Sequence, residues 1–338
     1  MLLHNHYNAI DITKLFMAFL VIGIHVGATF EKAYPQFLNF ILGTAVPFFF
    51  ICSGFFMQSK LSKTGNNLHV LKTSAKRFLK LYILWHIVYF PIALKYLWTN
   101  GRDFMGDFQY CLHMFFFVGE IIYSWPLWYL HGLIVAILLI YLLERCRLSL
   151  CFIWIISIIM MLIGNYIHYV TTSGMHFNNT ILNICQYSVD LLGTAERNGP
   201  FRGFALVTTG MMIRQYHQYI KYEFLIGAVC IIFSWCLFTY LLPLHLLFSG
   251  GGLFIITASI KLKDKPIYST LRIHSTLIYF IHMYFVVAAH MLFQEYIINT
   301  TYVYMIWIII FLVTWLVSYL FNYLRKIPSF IWLNNLIS

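Results

Sequence analysis

Charge is scarce in this chain. Of 338 residues only 10% are Asp, Glu, Lys or Arg, against 61% that are hydrophobic. Soluble domains carry about a quarter charged residues, so the composition excludes a soluble globular protein. It leaves a polytopic membrane protein, most of it facing lipid or itself. No C-x-x-C pair occurs, and the seven cysteines are scattered, mostly within apolar runs; they read as small buried hydrophobes. No internal repeat, low-complexity linker or separate soluble domain interrupts the sequence, so residues 1–338 read as a single membrane domain. The first apolar run lacks a strongly basic flank and a small-x-small site after it, which marks it as a retained helix and not a cleaved signal. The formal charge of +11 does not indicate nucleic acid. The basic residues share no soluble face; their distribution follows membrane topology.

What is present in quantity is long apolar runs. They fall at 12–30, 38–58, 78–98, 125–143, 150–170, 201–219, 223–242, 244–260, 275–293 and 302–324. Each approaches the ~20 residues that a helix needs to cross about 30 Å of hydrocarbon. The expected fold is therefore all-α, with about ten transmembrane helices. The pair around Pro243 is tight, and the apolar stretch from Tyr110 to Tyr123 reads as a re-entrant or interfacial helix. Lys and Arg accumulate on the cytoplasmic side. With the N-terminus inside, sixteen of the 22 basic residues fall in inner segments, five in outer ones, and Lys14 within the first span. Both termini are accordingly expected in the cytoplasm, and the chain in the cell membrane.

The stretch Ile12–Phe30 organises the rest. Lys14 and His25 interrupt it eleven positions apart, within about 20° of one helix face and roughly 16 Å apart along the axis. Ionisable groups at such depth usually face a protein interior or a wet cavity. Two readings are open for each. His25 is a hydrogen-bonded packing element, or a general base with a pKa near operating pH. Lys14 pairs with Asp11 at i−3, or anchors an anionic group arriving from the cytoplasm. In the second span Ser53-Gly54 allows close helix approach and Pro47 frees a carbonyl. Lys76, Arg77 and Lys80 cluster at the mouth of the third; Arg77 and Lys80, at i and i+3, suit a phosphate or serve as ordinary positive-inside anchors.

These motifs together resemble the integral-membrane acyltransferase family 3. The resemblance rests on Lys14 with His25 after ten intervening residues, and on Val46-Pro47-Phe48-Phe49-Phe50-Ile51-Cys52-Ser53-Gly54-Phe55-Phe56. Further matches are Arg77-x-x-Lys80, Leu127-Trp128-Tyr129-Leu130, and Tyr279-Phe280-Ile281-His282, in the expected order over nearly the whole chain. It implies an O-acyltransferase that takes an acyl group, commonly acetyl, from cytoplasmic acyl-CoA and passes it to a hydroxyl of an envelope glycan or lipid-linked acceptor. Under it His25 is base or acyl relay, Lys14, Arg77 and Lys80 bind acetyl-CoA, and Trp128, Arg197, Tyr279 and His282 line the acceptor side. Lys14 and Lys80 stand where Arg is commoner, so bidentate phosphate clamping gives way to point-charge contact.

A second resemblance attaches to Glu196-Arg197-Asn198-Gly199, similar to the branch that includes the membrane halves of vancomycin-resistance serine racemases. It keeps open a serine or other small-molecule permease or binding module without acyl transfer. Arg197 then holds an acceptor carboxylate or phosphate, or caps a helix with Glu196. No metal is expected: His282 and His290 are eight apart, not the i, i+4 spacing of a helical zinc pair. Gly250-Gly251-Gly252 follows no strand, so it reads as close helix packing, not a phosphate loop.

Overall fold

The computed structural model describes residues 7–99, 103–173, 178–193, 199–239, 243–296 and 300–337. Every regular element among them is helical. In a hydrocarbon layer no water is at hand for N–H and C=O groups, so apolar runs close their hydrogen bonds within the segment. Twelve α-helices result: α1 Asn8–Thr29, α2 Gln36–Leu61, α3 Asn67–Thr99, α4 Phe104–His113, α5 Trp128–Arg145, α6 Leu150–Thr172, α7 Asn179–Leu192, α8 Phe204–Tyr216, α9 Glu223–Thr239, α10 His245–Ser259, α11 Pro266–Phe293 and α12 Thr300–Leu324. Local chemistry sets several starts. Ser149 accepts from the Phe152 N–H at 3.3 Å to cap α6, Asn178 accepts from Thr180 at 2.9 Å to cap α7, and Pro266 occupies the first turn of α11, where its missing N–H costs nothing.

Among the described residues, seven helices are long and apolar enough to cross a bilayer: α1, α2, α3, α6, α11, α12 and the helix from Trp125 through α5. They coincide with seven of the runs read from sequence, and the chain is a multi-pass membrane protein. The other three runs fall on α8, α9 and α10, of 13, 17 and 15 residues. Helices α9 and α10 form an antiparallel hairpin so close that a Cβ on Gly252 would lie 2.7 Å from the Gly227 carbonyl oxygen. The stretch from Tyr110 to Tyr123 is α4 followed by a π-helical turn over Met114–Val118, ended by Gly119 in the left-handed region at φ 93°.

The chain divides into two compact units, one of residues 1–49 and 221–338, the other of residues 50–220. In the first, α1 packs along α11. Asp11 meets Arg272, His25 meets His282 and Phe30 meets His290. Partners advance together on both helices, so α1 and α11 run parallel. Helix α12 runs antiparallel to α1: Phe19 meets Phe311, the Trp307 indole donates to the Phe19 carbonyl at 2.8 Å, and beyond the end of α1 Tyr34 meets Tyr304.

In the second unit α8 crosses the end of α2 through small residues. A Cβ on Gly54 would overlap the Val207 carbonyl, and one on Gly210 the Ile51 carbonyl. Close backbone approach of this kind is how helices associate where no hydrophobic effect drives them. The Ser157 and Thr208 hydroxyls, 2.7 Å apart and fully buried, tie α6 to α8. Ala at Gly54 or Gly210 is expected to destabilise the protein by about 1–3 kcal/mol through overpacking. Gly43→Ala, where a Cβ meets nothing within 4 Å, is expected to be neutral or stabilising. Thermal unfolding of the three variants in one detergent checks the contrast; equal midpoints would contradict the packing account.

Candidate functional site

Helix α1 carries both Lys14 and His25, each half-buried. Its other flank is apolar and exposed at Ile12 and Phe16. The imidazole of His25 lies 5.1 Å, ring centre to ring centre, from that of His282 on α11, tilted by 37°. His282 is fully buried. Its Nδ1 lies 3.1 Å from the Ile278 carbonyl one turn back. A carbonyl only accepts, so Nδ1 carries the ring proton and Nε2 presents a lone pair. That Nε2 is buried with no protein partner. An unmatched acceptor in a membrane interior is costly, and here it sits beside a second imidazole. Tyr279, one turn back from His282, places its ring 6.3 Å from it and 5.9 Å from Phe49. The first unit thus gathers His25, His282 and Tyr279, with Lys14 about three turns down α1.

Below them α1 and α11 are clamped by a bidentate pair. The Arg272 Nε and Nη2 donate to the two Asp11 carboxylate oxygens at 2.8 and 2.7 Å. Asp11 is buried while Arg272 remains more than half exposed. With both its oxygens engaged by Arg272, Asp11 belongs to this clamp. Nothing local in the sequence pointed to it: the partners are 261 positions apart, and Arg272 looked like one more inner-side cation.

The second unit carries the other candidates. Arg77 and Lys80 lie exposed on one face of α3, with the Arg77 guanidinium 5.9 Å from the centre of the Phe78 ring. Trp128, half-buried at the start of α5, meets Phe50 at 5.8 Å. Its neighbour Tyr129 lies 2.8 Å, hydroxyl to hydroxyl, from Ser53. So two motifs of the sequence, 50–54 and 127–130, are one contact. Arg197, with Glu196 and Asn198, lies outside the described residues.

Sequence reasoning passed over a buried aromatic and imidazole group in this unit. The Tyr82 ring stands 4.3 Å from His86 and 5.9 Å from His131. His86 Nδ1 donates to the Tyr82 carbonyl at 2.9 Å and His131 Nε2 to the Phe116 carbonyl at 3.0 Å. The signal was available, since both histidines stand inside apolar runs. Among the described residues, no group of three or more His, Cys, Asp or Glu could hold a metal ion.

Comparison with known proteins adds the following. The family described as an acyltransferase domain, acyltransferase 3, matches residues 7–323. An amino-acid racemase of Enterococcus faecalis is 30% identical over 146 residues, which are 41% of this chain and 20% of that protein. The chain therefore spans about a fifth of the length of this relative. No solved structure matches the chain.

The clamp between α1 and α11 yields a stability test. Asp11→Asn and Arg272→Gln are each expected to cost about 1–3 kcal/mol, the worth of hydrogen bonds to charged groups. The double variant should cost much less than their sum, because both remove one interaction. Denaturant titration in mixed micelles measures the coupling; strictly additive losses would show that the two residues act independently.

Proposed function

The chain belongs to the acyltransferase 3 family of acyltransferase domains, and from that premise we propose that it is a cell-membrane O-acyltransferase with its reacting centre at His25. In this reading cytoplasmic acyl-CoA, most simply acetyl-CoA, is the donor. A hydroxyl of an envelope glycan or lipid-linked molecule is the acceptor. The hydroxyl oxygen attacks the thioester carbonyl, the new C–O bond forms and the C–S bond breaks. The hydroxyl proton passes to a nitrogen of His25 and then to the CoA thiolate, so proton and acyl group both balance. His25 as a transient acyl carrier gives the same products in two steps.

The observation that carries this reading is the imidazole pair inside an apolar helix layer, with one ring held in a single tautomer. In this reading His282, anchored through Nδ1 to Ile278, acts as a positioning residue: its ring lies 5.1 Å from that of His25 and its buried Nε2 keeps a lone pair. Lys14, on the same helix, meets the donor phosphates as a point charge. Arg77 and Lys80 are assigned to the same donor, and Trp128, Tyr279 and Arg197 to the acceptor.

The ten-span topology with cytoplasmic termini draws support from helix direction. Parallel α1 and α11 enter the membrane from the same side, which requires an even number of crossings from α1 through the helix preceding α11. The seven long helices alone place five there; adding α8, α9 and α10 makes eight. The match to the amino-acid racemase covers a fifth of that protein and carries no argument for serine transport.

His25→Ala is expected to lower acetyl transfer from acetyl-CoA by about 10²–10⁴-fold. His282→Asn keeps the donor to Ile278 but lacks the Nε2 lone pair, so kcat should fall and its pH profile change while the KM for acetyl-CoA holds. Lys14→Gln should do the reverse, raising KM with kcat nearly unchanged. Steady-state kinetics of the purified protein tests all three; a His25→Ala enzyme at the wild-type rate would remove the assignment.

A further inference from the structure

The second unit contains a cavity of about 540 Å³ that no part of the acyl-transfer reading uses. It lies between the end of α3, helix α4 and the segment 120–125. Four aromatic rings line it, from Tyr96, Tyr110, Tyr123 and Trp125, together with the carboxylates of Asp107 and Glu120 and several aliphatic side chains. Among the described residues, no lysine, arginine or histidine lines it.

The rings are set as walls. Tyr96 and Tyr123 meet at 5.6 Å and 87°, and Tyr123 and Trp125 at 6.2 Å and 46°. Tyr123 reaches its place by a backbone in the left-handed region, φ 64°. A bulky residue there stores about 1–3 kcal/mol of strain, of the kind concentrated at ligand clamps. Ser124 fixes the turn: fully buried, its hydroxyl accepts from the Ile121 N–H at 2.7 Å and donates to the Ile121 carbonyl at 2.8 Å. On α4 the Cys111 thiol is pushed up by burial and then by the Asp107 carboxylate one turn away. Burial, followed by Tyr96, likewise raises the Tyr123 phenol.

Ring faces carry negative potential and attract cations, by about 0.5–2 kcal/mol each depending on desolvation. Two carboxylates in the same lining add to that attraction and repel phosphate. The volume is far more than a bare ion needs and falls in the range of small-molecule sites, roughly 300–1,000 Å³. We propose that this cavity is a binding site for an organic ammonium ligand, an amine or quaternary ammonium group carried on a small-molecule body. The ammonium sits among Tyr96, Tyr123 and Trp125, with Asp107 and Glu120 supplying the counter-charge.

Isothermal titration of the detergent-purified full chain with choline tests the proposal, with glucose and inorganic phosphate as comparison probes. Saturable choline binding is expected, with neither glucose nor phosphate binding comparably. The isosteric variants Asp107→Asn and Glu120→Gln should each weaken it about five- to tenfold, and Trp125→Ala more, whereas Tyr123→Phe, which keeps the ring, should bind nearly as well as the wild type. His25→Ala should bind choline normally, so failure of this site and failure of the acyl-transfer reading are separately visible. A free ligand and a lipid headgroup share the ammonium chemistry. Equal choline affinity in phosphatidylethanolamine and phosphatidylglycerol nanodiscs assigns the site to a free ligand; weaker affinity in the former assigns it to a headgroup. The proposal is overturned if choline gives no binding up to about 10 mM, weaker than any useful affinity, if glucose or phosphate binds as tightly, or if both amide variants bind choline like the wild type.

Discussion

An imidazole inside a lipid bilayer has to be satisfied by protein or by enclosed water, because the hydrocarbon offers it nothing. That constraint shapes the first unit of this protein. Parallel packing of α1 and α11 answers it by setting His25 against His282. The Asp11 and Arg272 clamp, one buried partner and one half-exposed, holds the two helices in register. The Trp307 bond to the Phe19 carbonyl closes the third side from α12. These contacts spend polar groups on helix placement, while the Nε2 of His282, like the Thr29 hydroxyl on α1, is buried with no protein partner. In the proposed mechanism the lone pair of that nitrogen stands next to the ring through which the proton moves.

The second unit is built by different means. Glycines at 54 and 210 bring α2 and α8 into backbone contact, and hydroxyl pairs such as Ser157 with Thr208 replace the buried charges of the first unit. Besides the buried Tyr82, His86 and His131 group, it carries the exposed Arg77 and Lys80 and the aromatic cavity with Asp107 and Glu120. With cationic side chains at one place and an acidic aromatic cavity at another, the unit offers surfaces of opposite charge.

Much of this was legible in the sequence because membrane physics leaves few options. Runs of apolar residues could only be helices, and Lys14 and His25 stood out as ionisable residues in the wrong solvent. The motif ending in Ser53-Gly54 and the one containing Trp128-Tyr129 were each visible, but their contact was not. The pairing of Asp11 with Arg272 was invisible for the same reason: local pattern does not report which helices become neighbours. Arg272 was indistinguishable from the other inner-side cations, and the fact that His282 faces His25 depends on a parallel packing across more than 250 intervening residues. The short helices α9 and α10 illustrate a different limit. Hydropathy and Pro243 gave two runs in a tight pair, but not the backbone contact of Gly227 with Gly252 that holds them together.

The central claim is that one stripe of α1 is wet, opens to the cytoplasm and receives the acyl donor. Cysteine substituted singly at Lys14, His25 and Phe16 in a cysteine-free background tests it, using a membrane-impermeant thiol reagent on inside-out vesicles. The account predicts labelling at positions 14 and 25, slowed by acetyl-CoA, and little at position 16, which is exposed on the apolar flank. Labelling of position 16 equal to that of 14 and 25, or no protection by acetyl-CoA at any of them, would contradict it.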